Sequence, residues 1–322
     1  MDTTPAHTPA HAPATTSLTA LAEDARERVL QLAQAASAAD AATALSEDAT
    51  LRLRATDGTV THLLRHDDGG VLVGYAQLVG RAATAPGGRA AAGATPADVE
   101  GELLVDPAHR RRGHGRALLR AVDAAAPGSR VLLWSHGDTP GARALAASAG
   151  WRRERELLRM ERPTAGLADL EVPALPEGVV VDAFRPGADD EAWTALNAAA
   201  FAGHPEQGRW SVRDLRLRLA EPWFDPSVFL LARTPGGALA GFCWMKVEAA
   251  AAELYVLGAA PAHAGRGLGR ALLVRGLRAV AARADVPPTV ELYVDGDNAP
   301  ALRLYERLGF ARAAVDVQYA SR

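Results

Sequence analysis

The chain has 322 residues, of which 48% are hydrophobic and 23% charged. That length exceeds what one hydrophobic core usually serves, and the apolar share suffices for two. A formal net charge of −3 leaves no electrostatic footprint for nucleic acid or an anionic membrane, and no run of about eighteen apolar residues implies a membrane span. A soluble cytoplasmic monomer with small-molecule partners is expected. The single cysteine, Cys243 in GFCWMKV, excludes an intramolecular disulfide and reads as a buried strand thiol.

Residues 1–16, MDTTPAHTPAHAPATT, have no basic n-region and no apolar h-region, and their Pro, Thr and Ala content cannot build a core. They are expected to be a disordered tail. A first domain over 17–162 opens with a hairpin, HLLRH then VLVGYAQLV, and continues with a strand that ends at PAHRRRGHGRALL, Pro107–Leu119. That motif opens a helix, and VLLWS and an Ala-rich helix follow. The stretch PTAGLADLEVPALPEG carries three prolines and no sustained period, which predicts a tether over 163–178. A second domain over 179–322 repeats the order: the hairpin VFLLAR and ALAGFCWMKV, a strand, PAHAGRGLGRALL at Pro261–Leu273, then TVELYV and the helix PALRLYERLGF. The two motifs differ at three of their thirteen positions across an offset of 261 − 107 = 154, close to half the chain, so the sequence reads as a duplication. The expected class is α+β, each domain a mixed, mostly antiparallel sheet flanked by helices.

Glycines just before Arg-Ala-Leu-Leu let the backbone turn tightly while its N–H groups point outward at a helix N-terminus, which makes a phosphate cradle. A plain surface turn is the bland alternative, weakened by two copies in matching context. A dinucleotide fold is set aside, because GHGRAL and GRGLGR lack the full G-x-G-x-x-G and no acidic residue closes a second strand at the expected distance.

The pattern V-x-P-x-x-R-x-x-G-x-G before a helix resembles the acetyl-CoA pyrophosphate loop of the GCN5-related N-acetyltransferases. Val105, Pro107, Arg110, Gly113 and Gly115 match it, whereas the second copy departs at Ala259 and Ala264. The resemblance implies acetyl-CoA as co-substrate, with no metal. In the first domain it assigns acetyl-CoA binding to Leu103, Leu104, Val105, Arg111, Arg112, Gly113, His114, Gly115 and Arg116. In the second it assigns Leu257, Gly258, Ala259, Ala264, Gly265, Arg266, Gly267, Leu268, Gly269 and Arg270. Asn298, Ala299, Pro300, Ala301, Leu302 and Arg303 open the last helix, where the family's asparagine holds the pantetheine arm. Tyr305 then fits the family's proton donor to the departing CoA thiolate, with an ordinary amphipathic aromatic as the alternative.

Aligned on Gly150 and Gly309, the first domain has Thr139 and Ala146 where the second has Asn298 and Tyr305. Glu253, eight residues before Pro261, lies on the strand that usually carries the family's general base, and the same count before Pro107 reaches Val99. Glu100 and Glu102 have the opposite strand parity and are expected to point away. The first domain therefore reads as a non-catalytic, CoA-binding copy and the second as the enzyme.

The loop FAGHPEQGRW, the later WFDP, and LYVLG before the CoA loop resemble, within this family, a tandem branch whose acceptor is the cysteinyl amine of a glucosaminyl-inositol. An acceptor with one ammonium and many hydroxyls wants carboxylates and polar donors. The resemblance assigns it Glu47, Glu206, Lys246, Glu253 and Tyr293. Glu47 has a helix-capping turn as its alternative reading. Lys246 is the only lysine among 35 basic residues, which argues for a compact ammonium at that point rather than merely a charge. Two other functions share most of these features: acetylation of another amine, such as an aminoglycoside or a protein N-terminus, and a non-enzymatic acyl-CoA sensor.

Overall fold

The computed structural model describes residues 14–80, 98–202 and 207–321. In chain order the elements are β1 (Thr15–Leu18), α1 (Glu23–Asp40), α2 (Glu47–Arg52), β2 (Val60–His66), β3 (Leu72–Gly80), β4 (Val99–Val105), α3 (His114–Ala125), β5 (Val131–Ser135), α4 (Pro140–Ser148) and β6 (Arg152–Pro163). There follow β7 (Val180–Ala183), α5 (Asp190–Ala200), α6 (Val212–Leu219), β8 (Phe229–Arg233), β9 (Leu239–Val247), β10 (Ala252–Ala259), α7 (Leu268–Ala281), β11 (Thr289–Asp295), α8 (Ala299–Arg307) and β12 (Ala311–Ala320).

The chain forms two compact units, residues 1–157 with 315–322 and residues 158–314. The first unit orders its strands β1-β2-β3-β4-β5-β12, the second β6-β11-β10-β9-β8-β7. β4 with β5 and β10 with β11 are parallel, whereas β1/β2, β2/β3, β3/β4, β5/β12, β7/β8, β8/β9 and β9/β10 run antiparallel. A parallel pair needs a crossover, and α3 and α7 supply it, each entered from the repeated motif. The architecture is α+β, as expected.

Two expectations about chain segments meet a different outcome. Thr15 and Thr16, assigned to the tail, pair with Arg65 and Leu64 as part of β1; Met1–Pro13 lie outside the described residues. The segment expected as a tether lies within the second unit and is strapped to it. Leu167 is fully buried, Thr164 Oγ1 donates to the Pro287 carbonyl at 2.7 Å, and Arg275 Nη1 donates to the Pro173 carbonyl at 3.0 Å. Prolines removed its periodicity without removing its contacts. The last strand also crosses over: Val317 to Ala320 pair antiparallel with Ser135 to Leu132 of β5, so the end of the chain completes the first unit.

The two cores differ in kind. In the first unit α1 and α2 pack aliphatic side chains, among them Val29, Leu32 and Leu53, on Leu64, Tyr75 and Leu104 of the sheet. In the second unit Trp193, Phe229, Phe242 and Trp244 form a cluster with edge-to-face and stacked rings 4.2–5.7 Å apart. Cys243 is buried, as expected, and burial pushes its thiol up to about 12, so it stays protonated.

Candidate active site

Both repeated motifs build the same loop. Gly113 and Gly267 are the N-caps of α3 and α7, with φ of 88° and 80°, and neither helix start has a side-chain cap. The first-turn N–H groups of both helices are thus left for a ligand, in a form suited to phosphate oxygens. Two residues earlier the backbone is left-handed again, at Gly265 with φ 72° and at Arg111 with φ 63°. Alternating left-handed residues curl successive N–H groups into an anion-binding concavity. An arginine in that region costs about 1–2 kcal/mol relative to glycine, so the first unit keeps the cradle against a strain that the second avoids. Arg110 explains the remaining departure. It grips Asp40 at the end of α1 with two hydrogen bonds of 2.6 and 2.7 Å and donates to the Val105 carbonyl, an anchor that Ala264 lacks.

Several residues assigned to acetyl-CoA have buried side chains. Leu104, Leu268 and Leu302 are buried in the core. His114 is also buried, and burial with the adjacent Arg65 holds its imidazole below the usual range, hence neutral.

In the first unit the loop opens on a cavity of about 690 Å³, lined among others by Gly113, His136, Thr139, Ala146 and Tyr319. Ala146 contributes only a methyl group. The phenol that lies in its cluster is Tyr319 of β12, whose hydroxyl is committed to Asp138 Oδ1 at 2.6 Å. At the cavity wall His136 stands between two carboxylates, with Nδ1 2.9 Å from Asp316 Oδ2 and Nε2 3.5 Å from Glu102 Oε2. Burial opposes its charged form, but Glu102 and Asp316 outweigh that and push it up to about 10. Sequence reasoning missed this trio because Asp316 is 180 positions away from His136.

In the second unit α8 carries Asn298 and Tyr305. Asn298 is the N-cap and its Oδ1 accepts from Ala301 N at 3.2 Å, while Thr139 caps α4 from the equivalent place through Ala142 N. Its carbonyl oxygen is thus spent on the helix, which leaves the amide N–H₂ as its side-chain donor. Tyr305 is 8% exposed and packs edge-on against Phe310 at 6.0 Å. Burial, then the nearby Cys243, holds its hydroxyl well above the usual phenol range, so it is protonated at neutral pH.

The position of Glu253 corrects the comparison with Val99. Gly74 pairs with Val105 and Gly241 with Ala259, which aligns the two ladders. Counting back from there, β10 shifts register between Leu254 and Val256, a bulge at Tyr255 that β4 lacks. Beyond the bulge Val99 corresponds to Ala252 and Glu100 to Glu253; the parallel ladders agree, since Glu253 pairs with Glu291 and Glu100 with Leu132. The first unit therefore does carry a carboxylate in the equivalent place, and the parity expected for Glu100 was miscounted by the one extra residue. That carboxylate is occupied: Glu100 Oε1 accepts from Trp134 Nε1 at 2.9 Å and from Gln318 Nε2 at 2.6 Å.

Lys246 lies directly opposite Glu253 across the antiparallel ladder, so the two share a face. The Lys246 ammonium is 3.1 Å from Glu248 and 5.0 Å from the ring centre of Trp223 in the WFDP stretch, with its side chain only 12% exposed. Tyr293, on the same face of β11, is 37% exposed. The bulged Tyr255 accepts from Arg218 Nε at 2.8 Å, and that guanidinium lies 3.9 Å from the ring centre of Trp210. The structure thus brings together Lys246, Glu253 and Tyr293. Glu47 belongs to the first unit, at the first turn of α2 behind the Ser46 cap, and Glu206 lies outside the described residues.

The Acetyltransferase (GNAT) family model matches this chain twice, over residues 27–151 and 191–310. A mycothiol acetyltransferase of Kineococcus radiotolerans is 66% identical over 298 residues, covering 92% of this chain and 93% of its own. That of Clavibacter michiganensis is 49% identical over 90% of both chains. Among solved structures, a tandem GNAT protein from the clavulanic acid biosynthesis pathway superposes with a TM-score of 0.69 at 22% identity over 96% of this chain and 98% of its own. A GCN5-related N-acetyltransferase from Sphaerobacter thermophilus does so at 0.65 and 22% identity, over 95% of each chain.

Proposed function

The chain belongs to the Acetyltransferase (GNAT) family and, within it, to the mycothiol acetyltransferases, and from that membership we propose that its second unit transfers the acetyl group of acetyl-CoA to the cysteinyl amine of a glucosaminyl-inositol, giving mycothiol. The observation that carries the assignment of the working unit is the coincidence in residues 158–314 of an open anion cradle at Gly267, a protonated buried phenol at Tyr305, and the Glu253 carboxylate opposite Lys246.

The chemistry follows from those groups. The amine arrives as an ammonium, which has no lone pair, and Glu253 takes one proton from it. The freed nitrogen attacks the thioester carbonyl carbon, and the carbon–sulfur bond breaks with its electron pair leaving on sulfur. Tyr305 then protonates the thiolate, while the nitrogen sheds its second proton as it becomes an amide, and that proton restores the phenol through solvent. The α7 N-terminus and the Asn298 amide hold the CoA chain so that the thioester stays within reach, and Lys246 and Tyr293 bind acceptor hydroxyls. Glu206 is a further candidate for the acceptor in this reading. The first unit binds acetyl-CoA without turning it over, because Ala146 offers no proton and Glu100 is held by Trp134 and Gln318. No helix among the described residues is long and apolar enough to cross a membrane, and cytoplasmic action as a monomer, without metal, fits the reading. Release of CoA thiol, followed with the cysteinyl glucosaminyl-inositol, an aminoglycoside and a peptide N-terminus side by side, tests it. Preference for either of the last two would overturn the acceptor, and no release above background with any amine would overturn catalysis.

A further inference from the structure

One face of the second unit carries a row of charges across four strands. Lys246 on β9 stands opposite Glu253 on β10, Glu253 pairs with Glu291 on β11, and Glu291 Oε2 accepts from Arg159 Nη1 on β6 at 2.9 Å. The signs run plus, minus, minus, plus. The Glu291 and Arg159 side chains are 21% and 32% exposed, so the row borders solvent without lying open to it. Two carboxylates side by side on adjacent strands, whose backbones run about 5 Å apart, repel each other. The fold does not require this pairing. In the first unit the counterpart of Glu291 is Leu132, equally paired to a glutamate and 2% exposed. A leucine there satisfies the sheet.

A like-charge pair retained beside the proposed base is suited to a cation between its members. We propose that Glu291 is a second carboxylate of the acceptor site and that, with Glu253, it holds the ammonium of the incoming amine, with Arg159 as its positioning residue. This rests on the acceptor reading above. The ammonium offers N–H donors to both carboxylates, and when Glu253 removes one proton Glu291 still accepts from the neutral amine. After transfer the nitrogen is an amide with no charge, and the pair loses its hold on it. Glu291 is therefore specific for the substrate's charge and indifferent to the product. Arg159, which also contacts Glu161 at 2.6 Å, holds the Glu291 carboxylate in position through its Nη1 hydrogen bond.

The test compares acceptor and product on the same full-length variants. Glu291→Gln should raise the acceptor KM by about 10- to 100-fold, the scale of a lost charged hydrogen bond, while the acetyl-CoA KM and kcat stay within a few fold. Binding of mycothiol, titrated calorimetrically, should be unchanged within a few fold. Glu291→Asp should recover part of the acceptor KM, Arg159→Met should weaken the acceptor less than Glu291→Gln does, and Glu253→Gln should act on kcat instead. An unmoved acceptor KM in Glu291→Gln, or an equal weakening of acceptor and product, overturns the proposal. If the wild-type protein acetylates a different amine, the acceptor reading alone falls, and the same comparison with that amine and its acetylated form decides the role of Glu291.

Discussion

Replacing Gly269 by alanine separates what the cradle does for the fold from what it does for the ligand. Gly269 is the second residue of α7, its φ lies outside the left-handed region, and a Cβ built there meets nothing within 4 Å. On the protein alone the change fills no space and strains no dihedral. Glycine to alanine inside a helix is worth about 0.5–1 kcal/mol, less in the first turn, so the ligand-free protein should be as stable or slightly more so. The open space is the reason for the glycine: phosphate oxygens must approach the N–H of this turn closely, and a methyl group there keeps them away. Losing one or two charged hydrogen bonds predicts a rise in the acetyl-CoA KM of about 10- to 100-fold. The first unit gives a contrast, because a Cβ at Gly115 would sit 3.2 Å from Leu145 Cδ2, which would have to give by a few tenths of an ångström. Thermal unfolding without ligand and initial rates against acetyl-CoA concentration are the measurements. A Gly269→Ala protein that is markedly less stable, or one with an unchanged acetyl-CoA KM, refutes the argument that this glycine serves the ligand.

Tyr305→Phe keeps the ring and its contact with Phe310 but removes the proton, so turnover should fall by roughly 10- to 1000-fold with acetyl-CoA binding little changed; single-turnover kinetics with an undiminished rate would exclude the tyrosine as the acid. Gly113→Val, at a left-handed φ of 88°, should lower the stoichiometry of acetyl-CoA in calorimetry from two to one per chain, and a retained stoichiometry would locate binding elsewhere. For His136, raised from 6.5 to about 10 in the folded protein, the sign is that of a group stabilised in its protonated form. Its contribution is full below about pH 6.5 and is lost as pH climbs through 10. Denaturant unfolding should show stability declining by about 2–5 kcal/mol across that window, and His136→Gln should flatten the slope; a stability that rises over the same window would contradict the trio.

What the sequence disclosed and what it withheld have physical reasons. The cradle was legible because a left-handed cap before a helix demands glycine, and the demand was written twice. Tyr305 was legible because helix α8 keeps its length in both copies, so spacing from Gly309 carries over to Ala146. The counterpart of Glu253 was misplaced: a bulge adds one residue without changing the alternation of side chains visible in the sequence, and a gapless count cannot register it. The exchange of β12 into the first unit was illegible, since ARAAVDVQYA declares a strand but not its partner. The same long-range pairing hid the links of Glu100 to Gln318 and of His136 to Asp316. Glu291 passed unnoticed because, in isolation, a glutamate alternating with apolar residues in TVELYVD is an ordinary solvent-facing position; only its partner across the ladder gives it meaning.

The central claim, that the second unit acetylates the cysteinyl nitrogen, is tested most directly by mass spectrometry of the product formed from acetyl-CoA and the cysteinyl glucosaminyl-inositol, with fragmentation to locate the added group. The acceptor offers both a thiol and an amine, and in the proposed mechanism Glu253 and Tyr305 act on transfer to the amine. One acetyl group on nitrogen, formed by the wild-type protein and greatly reduced in Tyr305→Phe and Glu253→Gln, is the predicted result. Acetyl found on sulfur, or equal amounts of N-acetylated product from the wild type and both variants, would contradict it.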